Sequence, residues 1–279
     1  MEHPGIALAL GGILVTCSCA ARAHEEDGPV TESALHAFEA MPARLRHPAT
    51  GIVLVRLPVG SFERGSPAEE SGRDADELRS AVAISGDVYL GETEVTVGQW
   101  ERLMGVDFDA PQRDPDLPID DVTWYEAQEF VRRMNEDGPA GWRLPSEDEW
   151  EYACRAGTTT PFSFGDDLRP EQANFDPYYP YRATPRGEHS RGPKLVRSHP
   201  PNAWGFFDLH GNVAEWCEDL YVTASAPPSS EKGAARVFRG GAWLSSADQV
   251  RSAWREGYPP SSDGPEYGFR VAWSSAPSR

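Results

Sequence analysis

The chain has 279 residues, enough for one substantial core or two small ones, with 39% hydrophobic and 25% charged residues. Its net charge of −18 excludes a nucleic-acid partner, because phosphates demand a basic face. Twenty-six glycines and 25 prolines exclude an architecture of long helices, and nine tryptophans call for a packed interior or a binding surface.

Residues 5–15 are apolar or glycine, and Ala21-Arg22-Ala23 forms a cleavage site before His24. Residues 1–23 therefore read as a signal peptide and the protein as secreted or periplasmic. The apolar run is too short for a transmembrane helix. Cys17 and Cys19 keep a lipid anchor open as the alternative, although each lacks one feature of a lipidation context. Cys154 and Cys217 remain after cleavage and either pair or pack as buried free thiols. Residues 24–50 read as a linker with one amphipathic patch, Leu35, Phe38 and Met41.

The globular part is expected over 51–274, with a polar tail at 275–279. Residues 52–57 form a β-rich run stopped by Pro58, residues 60–66 a glycine-bounded turn, and residues 67–76 a charged loop. Three helix starts carry a capping box, a hydroxyl with Gln or Glu three residues on: Thr96/Gln99, Thr123/Glu126 and Ser146/Glu149. Gly105 and Gly138 close the first two helices. In the third, Trp150, Ala153 and Cys154 form the inner stripe. Residues 157–202 hold eight prolines and three tyrosines without periodicity, so neither helix nor strand is predicted there. Short strands follow at Arg236-Val237-Phe238 and Phe269-Arg270-Val271-Ala272-Trp273.

Six segments, in order, carry a family resemblance. They are Gly60-Ser61-Phe62 with Gly65-Ser66; Glu92-Thr93-Glu94-Val95-Thr96; Asp121-Val122-Thr123-Trp124-Tyr125-Glu126-Ala127; Arg143-Leu144-Pro145-Ser146-Glu147-Asp148-Glu149-Trp150; Asn202-Ala203-Trp204-Gly205 leading to Gly211-Asn212-Val213-Ala214-Glu215-Trp216; and Arg239-Gly240-Gly241 with Gly268-Phe269-Arg270. Together they resemble the formylglycine-generating, or sulfatase-modifying factor, family. The resemblance implies a single α/β (α+β) domain with little regular secondary structure, related to the C-type lectin fold, whose long loops are fixed partly by calcium.

Two carboxylates and two backbone carbonyls in the Asp208 to Glu215 segment suit a hard cation. The resemblance gives the calcium ligands as Asp208, Gly211, Val213 and Glu215. A second site would start at Asn174 and Phe175, but its downstream partner has no match. The two redox cysteines of the family's copper oxidases fall at Ser245 and Val250. Neither supplies a soft sulfur ligand, so copper-dependent formylglycine formation is not expected. Histidine-bound iron is not expected either, because His36, His47, His189, His199 and His210 show no metal-binding spacing. Arg239, Arg251, Arg255 and Arg270 either line a ligand groove or pair internally with the many acids, the second being preferred.

The sequence thus suggests an extracytoplasmic, calcium-stabilised binding or accessory module for a peptide, glycan or protein, with its groove at Trp243, Ser245, Arg251 and Arg255. The alternative is a non-copper oxidoreductase or tautomerase, similar to the family's pyoverdine maturation enzyme, with Glu256 or Asp248 as the acid/base group. A deep pocket containing a carboxyl of raised pKa favours the enzyme, and a shallow aromatic groove favours binding.

Overall fold

The apolar run at 52–57 becomes strand β2 (Val53–Arg56), the second strand of the main sheet. It pairs antiparallel with β1 (Arg44–Arg46) on one side and β5 (Val88–Gly91) on the other. Beyond β5 come β11 (Ala272–Ser274) and β6 (Trp142–Arg143), also antiparallel. A second sheet runs in the order β10 (Tyr267–Gly268), β7 (Ala214–Leu220), β8 (Arg236–Arg239) and β9 (Arg255–Tyr258), with β10 and β7 parallel. Strands β3 (Gly60–Arg64) and β4 (Ser80–Ile84) form a separate antiparallel pair.

This computed structural model describes residues 42–105, 113–182, 184–223 and 233–275. The expected signal peptide, Cys17, Cys19, the Leu35, Phe38 and Met41 patch, most of the linker and most of the tail lie outside the described residues. Two boundaries differ from expectation. Arg44–Arg46, read as linker, is an edge strand of the main sheet, because Leu45 meets Leu54 across the ladder and packs on the core. Gly60–Arg64, read as a turn, is a strand, because its side chains alternate and Phe62 packs inward.

All three capping boxes form. Thr96 starts α1 (Val97–Met104), Thr123 starts α2 (Trp124–Glu136) and Ser146 starts α3 (Glu147–Arg155). In α3 the Ser146 hydroxyl accepts from the Glu149 N–H at 3.2 Å, and the Glu149 carboxylate accepts from the Ser146 N–H at 2.9 Å. Losing such a cap costs about 1 kcal/mol. Gly105 ends α1 at φ +97°, whereas α2 stops at Asp137, one residue before the expected glycine.

Trp150, Ala153 and Cys154 are fully buried as the stripe predicts, under the second sheet with Val237 and Cys217. The other main cluster joins Phe130 and Met134 of α2 to Trp216, Phe238 and Phe269. Among the described residues, no helix or strand forms between α3 and β7. That stretch is fixed by its own small core, Phe162, Leu168, Phe175 and Tyr181 against Ala247 and Val250. Cys154 and Cys217 are both free and buried. Among the described residues, no helix is long and apolar enough to cross a membrane.

Candidate functional site

The loop after β8 is built around two left-handed glycines, Gly240 at φ +87° and Gly241 at φ +60°. A Cβ on Gly241 would meet the Gln249 carbonyl at 2.6 Å, Val250 Cγ1 at 2.8 Å and Ser245 Cβ at 3.2 Å. The loop therefore closes on itself there, and Ser245 and Val250 flank the same glycine. Ser245 Oγ accepts from the Ala242 N–H at 3.0 Å, and its carbonyl accepts from the Asp176 N–H at 2.8 Å. Gln249 Oε1 accepts from the Ser246 N–H at 3.2 Å, tightening the 3₁₀ turn Ala247–Val250.

Val250 is wholly buried in the small core of the long loop. Its carbonyl accepts from His210 Nδ1 at 2.8 Å, which leaves Nε2 to accept from the Ser163 N–H at 3.1 Å. Burial lowers the His210 pKa to about 4, so the ring is neutral and already spent. Among the described residues, the Ser245 hydroxyl is hydrogen-bonded to a backbone N–H and not to a side-chain base.

The four arginines pair internally. Arg239 donates to Glu151 at 2.6 Å, and Arg270 grips Glu215 with two bonds of 2.6 Å. Arg251 is fully buried, bonded to Glu70 at 2.7 Å and to Glu77 at 2.6 and 2.9 Å. Its expected place in a ligand groove is therefore corrected: a guanidinium consumed by two buried carboxylates has nothing left for a ligand. Arg255 holds Glu147 at 2.6 and 2.8 Å and Asp76 at 3.3 Å, yet still faces a cavity.

The expected calcium ligands fit only in part. Glu215 is fully buried and accepts from Arg270 and from Trp150 Nε1, the latter at 2.6 Å, so its charge is already neutralised. Asp208 accepts the Arg197 N–H at 2.8 Å, and burial raises its pKa to about 6. Glu94, missed in the sequence, is the better sign of unbalanced charge. Burial, and then the Asp208 charge, drive its carboxyl far above the usual range, and its Oε2 has no hydrogen-bond partner. The charges of Glu94, Asp208 and Glu215 all act on Arg270, and Asp208 also feels Arg197. Among the described residues, no group of three or more His, Cys, Asp or Glu side chains is arranged to hold a metal ion.

The Asn174 position is occupied by protein contacts. Asn174 Nδ2 donates to Asn212 Oδ1 and to the Gly192 carbonyl, both at 3.1 Å, and Ser190 Oγ donates to Asn174 Oδ1 at 2.7 Å. Phe175 packs in the loop core instead. Both atoms of the Asn174 amide are thus engaged by protein groups in this arrangement.

A cavity of about 980 Å³ lies beside β9. Asp74, Asp76, Asp219 and Glu256 line it with Arg255 and Tyr221. The Tyr221 hydroxyl donates to Asp76 at 2.7 Å. Burial raises the pKa of Glu256, helped by the charges of Asp74 and Asp76. Asp219 is raised by burial as well, although it accepts the Glu147 N–H at 2.7 Å. Glu256 was named from the sequence, but Asp74, Asp76, Asp219 and Tyr221 were not. The one local signal for the two aspartates was the charged loop before Glu77. Asp248 does not line this cavity and accepts Arg251 Nε through its carbonyl at 2.8 Å.

Trp243 lies elsewhere, in an aromatic strip. The His189 ring stands 6.4 Å from Tyr178 and 5.5 Å from Trp243, with Tyr178, Tyr179 and Leu244 exposed around it. The expected groove is thereby divided: Trp243 joins the strip, Ser245 and Arg251 are buried, and Arg255 belongs to the cavity.

Mixed sheets, few helices and a long irregular loop fixed by its own core make this an α+β domain related to the C-type lectin fold. Residues 37–275 match the Sulfatase-modifying factor enzyme 1-like domain, and the chain belongs to that family. The match starts before residue 51, in keeping with β1 being part of the domain. The formylglycine-generating enzyme of Streptomyces coelicolor is 35% identical over 215 residues, which cover 71% of this chain and 64% of that protein. The serine/threonine-protein kinase pkn1 of Chlamydia pneumoniae is 34% identical over 165 residues, 56% of this chain but 24% of the kinase. The chain thus spans under two thirds of the length of each of these relatives. The structure of PvdO from Pseudomonas aeruginosa superposes with a TM-score of 0.72, covering 84% of this chain and 99% of that one at 27% identity.

Proposed function

We propose that this chain is an extracytoplasmic family member that transfers protons within a bound substrate, a tautomerase-type reaction, without copper. The observation that carries the reading is Glu256, a half-buried carboxyl of raised pKa lining a cavity of about 980 Å³. A carboxyl tuned toward neutral pH suits an acid/base group. Glu256 takes a proton from one substrate atom and returns it to another, ending each turnover in the state in which it began. No net oxidation occurs, so no electron acceptor is needed. Ser245 and Val250 support the absence of copper, since a hydroxyl and an alkyl group cannot hold Cu(I) as thiolates do.

The test is incubation of the full chain with pooled amines, amino acids and peptides in D₂O, reading carbon-bound deuterium by mass spectrometry. Wild type should incorporate deuterium and Glu256→Gln should not. Equal incorporation by both would sink the proposal.

The binding-module reading rests on a separate observation, the Tyr178–His189–Trp243 strip, in which Tyr178 and the neighbouring Leu244 are exposed and His189 and Trp243 half-buried, which suits a peptide, glycan or protein surface. Retention of a ligand that Trp243→Ala abolishes, with no deuterium incorporated, would favour it. Calcium belongs to the same proposal. The unbalanced acids Glu94 and Asp208, with the carbonyls of Gly211 and Val213, would hold it, and its role would be to neutralise buried charge and fix the loop. Secretion rests on residues 5–15 and Ala21-Arg22-Ala23, and the mature N-terminus, read by mass spectrometry, tests it against lipidation at Cys17 or Cys19.

A further inference from the structure

A second cavity, of about 520 Å³, shares no lining residue with the acidic one. In a chain of charge −18 it is lined by three arginines, Arg44, Arg46 and Arg197, against one carboxylate, Glu92. Arg44 bonds one Glu92 oxygen and Arg197 the other. Glu92 is buried, with its side chain 5% exposed, while those of Arg44 and Arg197 are 54% and 48% exposed.

One carboxylate thus anchors two guanidiniums at their inner ends and leaves most of their N–H donors open, since each guanidinium carries five. Anchoring also removes part of the side-chain entropy that a ligand would otherwise have to quench. Arg46 is fixed from another direction, donating to the Gly51 carbonyl at 2.9 Å. Asp208 sits behind Arg197 but accepts its backbone N–H, not its guanidinium. The other walls are apolar. Phe207 lies 5.7 Å beneath the Arg197 guanidinium, and Leu45 and Val53 complete the lining.

We infer that this cavity is a binding site for a small oxyanion, a sulfate or phosphate group, carried on a body with an apolar face. The guanidinium forks match the oxygens bidentately, and Phe207 with Leu45 and Val53 receives the body.

The test is calorimetric titration of the full chain at low salt with four probes: inorganic sulfate, inorganic phosphate, phenyl sulfate and phenyl phosphate. Saturable binding at one site is expected, with the phenyl esters tighter than the free ions. Arg46 is exposed and bonds only a loop carbonyl, so Arg46→Gln leaves the Glu92 cluster intact. It should weaken binding about tenfold, as should Arg197→Gln. Arg79→Gln removes another exposed arginine, paired with Glu63 away from the cavity, and should change nothing. Absence of saturable binding by all four probes, or equal losses in Arg46→Gln and Arg79→Gln, overturns the site. Free ions binding as tightly as the esters overturn the role of the apolar wall.

Discussion

Arg251 and Glu77, 174 residues apart, close on each other inside the protein through two hydrogen bonds of 2.6 and 2.9 Å. Glu70 completes the arrangement at 2.7 Å. Replacing Arg251 by Met leaves two buried acids without the cation bonded to both. We expect a loss of about 3–5 kcal/mol, read by urea unfolding. A loss of ligand binding at unchanged stability would instead restore Arg251 to the groove.

The same cluster sets a pH dependence. Burial pushes Glu77 up, but hydrogen bonding and charge from Arg251 outweigh it and hold the carboxyl below its ordinary 4.5. Its folded pKa lies below the unfolded one, so its contribution is present above pH 4.5 and lost as pH falls through the folded value. Glu70 runs the other way, because burial prevails there. The stability difference between wild type and Glu77→Gln should therefore shrink on acidification below that pH. A difference independent of pH contradicts the pairing.

For Glu256 the sign is reversed. Its raised pKa moves the onset of base catalysis above the ordinary carboxylate value of 4.5. Deuterium incorporation should rise with pH through that shifted value. Glu256→Gln should abolish it while moving stability by no more than about 0.5 kcal/mol, as expected for a group at a cavity surface. A large drop in thermal midpoint would recast Glu256 as structural.

Asp208 tests calcium. In metal-free protein at pH 7 its buried charge is unfavourable, with a pKa raised to about 6, so Asp208→Asn should raise the thermal midpoint. Added calcium should raise the wild-type midpoint and leave the variant's unchanged. No response of the wild type to calcium or chelator would remove the metal from the proposal.

The two described cysteines should behave as packing residues. Burial pushes Cys154 up to about 12 and Cys217 well above the ordinary range, and neither has a disulfide partner. Iodoacetamide at pH 8 should label neither in folded protein and both in urea, read by intact mass. Rapid labelling of native protein would contradict the burial.

What was legible in the sequence was local. Each capping box lies within four residues, so its geometry is written in the spacing, and the family motifs fix the order of elements around it. Charge pairing was not legible. Glu215 reads as a ligand until Arg270, 55 residues on, takes both its oxygens. For Arg251 internal pairing was the preferred reading and holds, but its partners were hidden, because nothing nearby announces Glu70 or Glu77. Glu94 and Glu92 stand two residues apart in one motif with opposite fates, one stranded in the core and the other shared by two arginines. Strands β7 and β9 went unseen for a related reason: charged residues such as Glu215 and Arg255 interrupt their alternation, and buried partners neutralise them.

Strand β11 sits between β5 and β6, with Ala272 opposite Leu90 on one side and Arg143 on the other. The main sheet therefore stays in two pieces until nearly the last residue of the domain arrives, and its closure joins segments from opposite ends of the chain. Such distant pairing makes folding slow and all-or-none at its final step. A nascent chain lacking its last few residues should remain protease-sensitive, however many of its local helices have already formed.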